Sequence, residues 1–130
     1  MTQTFTASRN ATWAPPLTYT YRGGALPLVG AKVAMQIRLY PGAAGDPLLG
    51  IPEIAYTDVR IAAATGDTDE VRRLTLSPRF TPAQLSALPV SGEAGDSTTF
   101  AFDILIIYAD GVTEVLSSGS FIVSPGVTRP

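Results

Sequence analysis

Two places in the 130-residue chain gather groups that could do chemistry. The run Gly66-Asp67-Thr68-Asp69-Glu70 brings Asp67, Asp69 and Glu70 close together, and their oxygens are the donor type a calcium ion takes. It lacks the further ligands and the glycine position of a calcium-binding loop, so it reads as a solvated turn. Asp103 stands between Phe102 and Ile104 in an apolar run, where burial would raise a carboxyl pKa toward general acid or base work. No second carboxylate is placed to share that work. Asp103 therefore reads as a structural acceptor for an arginine such as Arg38, or for loop amides.

Histidine and cysteine are both absent. That removes Ser-His-Asp and Cys-His nucleophiles, disulfides, and zinc sites built on either residue. A serine nucleophile would need a lysine base, and Lys32 is the only lysine. Gly23-Gly24 has neither the lysine nor the following helix of a phosphate loop. Composition thus argues against an enzyme and against a bound metal or cofactor. Of the nine basic residues eight are arginine, scattered without a block, and the net charge is −2, so no nucleic-acid footprint is expected. The N-terminal stretch is polar and no apolar run approaches the ~20 residues of a membrane span, so neither a secretion leader nor a membrane contact is expected.

The elements that would position these residues are strands. From Thr98 to Val123 the chain reads as strand, turn, strand: Phe100, Phe102, Ile104, Ile106 and Tyr108 recur at period two, with Asp110-Gly111 as the hairpin turn. Ala101, Leu105 and Ile107 make the opposite face apolar too, which predicts a strand buried on both sides. Thr2 to Ala7 predicts an edge strand, followed by a turn at Ser8 to Asn10 and by Trp13, which either caps the core or anchors a partner. Leu17–Arg22 and Lys32–Tyr40 predict strands, the second with Val33, Met35, Ile37 and Leu39 inward. Pro41 to Pro52 reads as a connection carrying an apolar patch, Leu48-Leu49. Ile54 to Ala62 reads as two short strands or one strand bulged around Asp58, and Glu70 to Ser77 as another with Leu74 and Leu76 inward. Thr81 as N-cap, Pro82 in the first turn and Pro89 as a stop predict a short helix docking Leu85 and Leu88. Seven to nine short strands and one short helix predict an antiparallel sandwich or small barrel in a single domain, residues 1–130. Contact-forming extensions are expected at 1–16 and 124–130.

The segment ending in Phe102-Asp103-Ile104, Tyr108-Ala109-Asp110-Gly111, Ser118-Gly119-Ser120-Phe121-Ile122-Val123 and Gly126-Val127-Thr128-Arg129 resembles the ending of small phage and prophage tail or baseplate proteins. Upstream, Leu28-Val29-Gly30-Ala31 with Met35-Gln36-Ile37-Arg38, and the Thr81 to Leu88 helix, are also similar to that group, and the N-terminal domain of siphophage upper baseplate proteins is similar as well. The sequence departs from the pattern at Val29, where threonine is common, and in the insertion-like Pro41 to Pro52.

What the resemblance implies is an immunoglobulin-like β-sandwich acting as a non-enzymatic adaptor, present in several copies and binding other phage virion proteins. Its location would be the virion, after synthesis in the bacterial host cytoplasm. The expected interface comprises Trp13, Leu48, Leu49, Val127, Thr128 and Arg129, with Asp103, Arg38, Asp110 and Gly111 in structural roles. Two other readings fit the same pattern: a capsid decoration or head-fibre base protein, and a carbohydrate-binding sandwich with Trp13, Tyr19, Tyr21, Tyr40 and Tyr56 as a sugar platform.

Overall fold

Alternation of apolar and polar residues at period two sets the architecture. A computed structural model describes residues 1–129 as eight strands and one helix: β1 (Thr2–Ser8), β2 (Leu17–Arg22), β3 (Lys32–Arg38), β4 (Leu49–Ile51), β5 (Ala55–Ala62), β6 (Val71–Ser77), α1 (Pro82–Ser86), β7 (Thr98–Ile107) and β8 (Thr113–Ser124). The strands form two sheets, ordered β1-β8-β7-β3-β4 and β2-β6-β5. With β2, β6 and β5 in one layer and β3, β7 and β8 in the other, this is the strand arrangement of an immunoglobulin-like sandwich, β4 being the added strand of the variable type.

Register explains the core. Pairing of β3 with β7 sets Val33, Met35 and Ile37 opposite Ile106, Ile104 and Phe102, and pairing of β7 with β8 sets Phe100 opposite Phe121. Across the sandwich, Leu17 and Tyr19 of β2 oppose Leu76 and Leu74 of β6. All of these are buried, and each large apolar side chain so enclosed contributes about 1.5–3 kcal/mol relative to exposure. The helix forms for the reasons its sequence shows. The Thr81 hydroxyl accepts from the Gln84 amide, Gln84 Oε1 accepts from the Thr81 amide, and Pro82 occupies the first turn. Leu85 and Leu88 are buried beneath it.

One pairing is parallel. β1 runs beside β8 in register from Thr2↔Ser118 to Ser8↔Ser124, which is open to it because the long chain between them supplies the connection that parallel strands require. The expected extension at 1–16 is therefore corrected. Thr2–Ser8 is the edge strand of the larger sheet, and Trp13, only 8% exposed, lies in the core. Trp13 exchanges backbone hydrogen bonds with Phe80, its amide donating at 3.0 Å and its carbonyl accepting at 2.9 Å. Its ring meets those of Phe5, Phe80 and Phe121 at centroid distances of 5.4, 5.7 and 5.0 Å. Trp13 thus caps the core, and at 8% exposed it offers little of the surface expected of a partner anchor.

Other boundaries move for identifiable reasons. β3 ends at Arg38, so Leu39 turns out and is 52% exposed rather than inward. The Pro41 to Pro52 connection contains β4, whose Leu49 and Ile51 pair with Ile37 and Met35. The bulge in β5 falls at Ile61, between Arg60 and Ala62, and not at Asp58. Asp58 keeps the inward alternation of Tyr56, its side chain 8% exposed. The hairpin turn is as expected: the Gly111 amide donates to the Tyr108 carbonyl, and Asp110 Oδ1 accepts from the Val112 amide.

Candidate interaction surface

The outer face of the larger sheet carries a broad depression. β7 is its central strand, and the inner alternation of Phe100, Phe102, Ile104 and Ile106 forces Ala101, Asp103, Leu105 and Ile107 to the other side. With Ala34 of β3 they floor a shallow trough of about 810 Å³, bounded by Leu39, Tyr40 and Pro41 at one side and by Ser118 and Ser120 of β8 at the other. The strand is thus not buried on both sides. Ala101, Leu105 and Ile107 are half-buried and Asp103 is exposed.

The expected hydrogen bond from Arg38 to Asp103 is not formed. Arg38 Nη1 donates instead to the carbonyls of Ala43 and Gly45, at 3.0 and 2.6 Å, and Nη2 to Gln36 Oε1 at 3.1 Å. Arg38 is structural, but its work is to fold the Pro41 to Pro47 loop back against β3. A guanidinium engaged by two loop carbonyls is not available to the next strand. The Asp103 carboxylate makes no hydrogen bond or ion pair among the described residues.

A second groove, about 510 Å³, runs between Arg9, Asn10 and the helix residues Pro82, Ala83 and Ser86 on one side and the segment 125–129 on the other. Asn10 Nδ2 donates to the Thr128 carbonyl at 2.7 Å. Val127, 96% exposed, Thr128 and Arg129, which were expected to make contacts, are exposed on the sandwich surface. Leu48 and Leu49 do not. Both are half-buried and pack against the core beside β4, which removes most of the patch they were expected to offer.

Two polar arrangements escaped the sequence. Arg9 crosses to the helix, Nη1 donating to the carbonyls of Leu85 and Leu88 at 3.0 and 2.7 Å and Nη2 to that of Pro89 at 2.8 Å. The Leu88 and Pro89 carbonyls lie beyond the end of α1, where no helical amide follows to meet them, and the Leu85 carbonyl is shared with the Leu88 amide at 3.3 Å. At the sandwich edge Tyr21 Oη lies 2.8 Å from both Asp58 carboxylate oxygens and donates to them, while Arg72 Nε donates to Asp58 Oδ2 at 3.1 Å and Nη1 to Glu70 Oε2 at 3.2 Å. Burial first and the Asp58 bond second raise the Tyr21 phenol above its ordinary pKa, and the Asp58 bond raises that of Arg72. The only sequence signal was an aspartate at an inward position of β5, opposite Leu74 of β6.

This cluster is a closed network. Its members line neither of the two grooves. Glu70 turns to Arg72, and no group of three acidic side chains converges on a point among the described residues. The aromatic residues suggested as a sugar platform are likewise dispersed. Trp13 and Tyr19 are buried, Tyr21 donates to Asp58, and Tyr56 donates to the carbonyls of Leu28 and Ala31. Tyr40 is the member that stands exposed, at 60%, on the trough rim.

No family model matches the chain. A search of curated proteins likewise returns no significant match. None of the helices described is long and apolar enough to cross a membrane.

Proposed function

We propose that the chain is a non-enzymatic structural protein of a phage virion, a tail or baseplate adaptor that acts by assembling with other virion proteins in several copies. The observation that carries this reading is the trough on the larger sheet. The central strand of an immunoglobulin-like sandwich turns a broad, mostly small and apolar surface to solvent, on a chain in which only 15% of residues are charged. Exposed apolar surface of this kind marks a site of protein contact. The recurrence of the tail-protein pattern from Phe102 to Arg129 supports the choice of virion, and the exposed Val127-Thr128-Arg129 segment supplies a second contact.

Mass spectrometry of purified particles, followed by antibody labelling in electron micrographs, tests the proposal. The expected result is recovery in stoichiometric multiple copies with label on the tail or baseplate. Particles that lack the protein would rule the proposal out, and label confined to the capsid would displace it from the tail.

A further inference from the structure

We infer that copies of this chain join head to tail, the Val127-Thr128-Arg129 segment of one copy lying across the outer face of β7 in the next. The inference rests on the assembly reading and names one partner within it, a second copy of the same chain.

The argument begins with two unpaired charges of opposite sign. Asp103 sits near the middle of the central strand, exposed on a floor of Ala34, Ala101 and Leu105, without an ion pair among the described residues. The cations nearest along the sheet are engaged: Lys32 meets Glu53 at 3.2 Å and Arg38 holds the loop carbonyls. Arg129 is exposed and makes no ion pair among the described residues.

Spacing then matches. The segment bends at Val127 in the free chain; once drawn out along β7, Val127 and Arg129 would point the same way about 6.6 Å apart, the same separation as Asp103 and Leu105 on one face of β7. With Arg129 set on Asp103, Val127 covers Leu105. This places the 96%-exposed valine on apolar surface and the guanidinium on a carboxylate.

A single copy cannot make this contact itself. Val123 pairs with Thr98, five residues along β7 from Asp103, or about 17 Å. From there the segment runs away beside Asn10, which holds the Thr128 carbonyl. Donor and acceptor surfaces are therefore different patches of the chain, and such a heterologous contact repeats into a ring or an open filament.

Sedimentation velocity of the full chain over a range of concentrations, with charge reversals, provides the test. Wild type is expected to self-associate. Asp103→Arg and Arg129→Asp should each weaken association about tenfold or more, because each juxtaposes like charges, and the double reversal should restore it. Val127→Asp should weaken it as well. All three residues are exposed, and an unchanged thermal midpoint will show that each variant folds. A wild type that stays monomeric, or single reversals without effect, would overturn the contact. Particle incorporation separates this from the broader reading. A monomeric chain still found in particles overturns the contact alone, while a self-associating, reversal-sensitive chain missing from particles overturns the virion assignment and leaves the contact standing.

Discussion

Gly119 of β8 lies directly against the backbone carbonyl of Gln3 in β1, with φ at +152°. A side chain there would overlap the Gln3 carbonyl oxygen, and the backbone conformation is one that only glycine adopts without strain. Gln3 is held on its other side as well, its Oε1 accepting from the Ser117 and Tyr19 hydroxyls. The parallel seam between the first and last strands thus depends on a missing methyl group.

Gly119→Ala should lower stability by about 1–3 kcal/mol and loosen β1 selectively. Hydrogen exchange is the measurement: amides of Thr2–Ser8 should lose protection while those of β3 and β7 keep theirs. Uniform protection with an unchanged midpoint would mean that the close approach is absent in solution.

Trp13→Ala should cost about 3–5 kcal/mol, the usual loss for emptying a large aromatic site, because its ring fills the space between Phe5, Phe80 and Phe121. Since Trp13 is the only tryptophan, its fluorescence reports the core directly and should shift to the red on unfolding. A substitution that left stability intact but abolished partner binding would return Trp13 to the surface.

In the Tyr21–Asp58–Arg72 network, removing either charged partner strands the other beside the core. Asp58→Ala and Arg72→Ala should each destabilise, and the double variant should be less unstable than the two losses added together. Chemical denaturation of the four proteins in a double-mutant cycle reads the coupling, and strict additivity would dissolve the network.

Burial raises the phenol pKa of Tyr19, Tyr21 and Tyr108 above the ordinary 10.0, aided at Tyr21 by Asp58 and at Tyr108 by Glu114. The neutral phenol is the folded form, so the stability these groups supply is complete below pH 10 and is lost as pH rises through their raised folded values. No histidine or cysteine titrates between about pH 5 and 8, so the stability profile should be nearly flat there. Denaturation curves combined with ultraviolet tyrosinate absorbance will check this. A steep change near neutrality, or tyrosines that ionise at their free value without unfolding, would contradict it.

What the sequence showed plainly was whatever rests on local pattern. The period-two run from Phe100 to Tyr108, the Asp110-Gly111 turn, and the Thr81-Pro82-Gln84 helix start each follow from neighbours in the chain. What it hid depends on partners far away. Asp103 has apolar neighbours on both sides in sequence, yet its face of the sheet is uncovered, and covering is not written in a single strand. Asp58 looked like a break in β5 because its partners, Tyr21 and Arg72, lie on other strands. Arg38 could be assigned a structural role, but its carbonyl acceptors lie in a loop whose fold no pattern specified. Trp13 was ambiguous because a tryptophan beside Pro15-Pro16 reads equally as edge or interior until Phe80 is brought to it.

The parallel pairing of β1 with β8 also has a mechanical consequence. Tension applied through the residues before Thr2 and after Ser124 pulls the two strands in opposite directions along their shared axis. The seven register pairs from Thr2↔Ser118 to Ser8↔Ser124 are then loaded together in shear rather than unzipped one at a time. In a single-molecule pulling experiment the chain is expected to resist end-to-end extension with a higher unfolding force than when it is pulled across the Asp110-Gly111 turn. Equal forces in the two geometries would show that the seam bears no load.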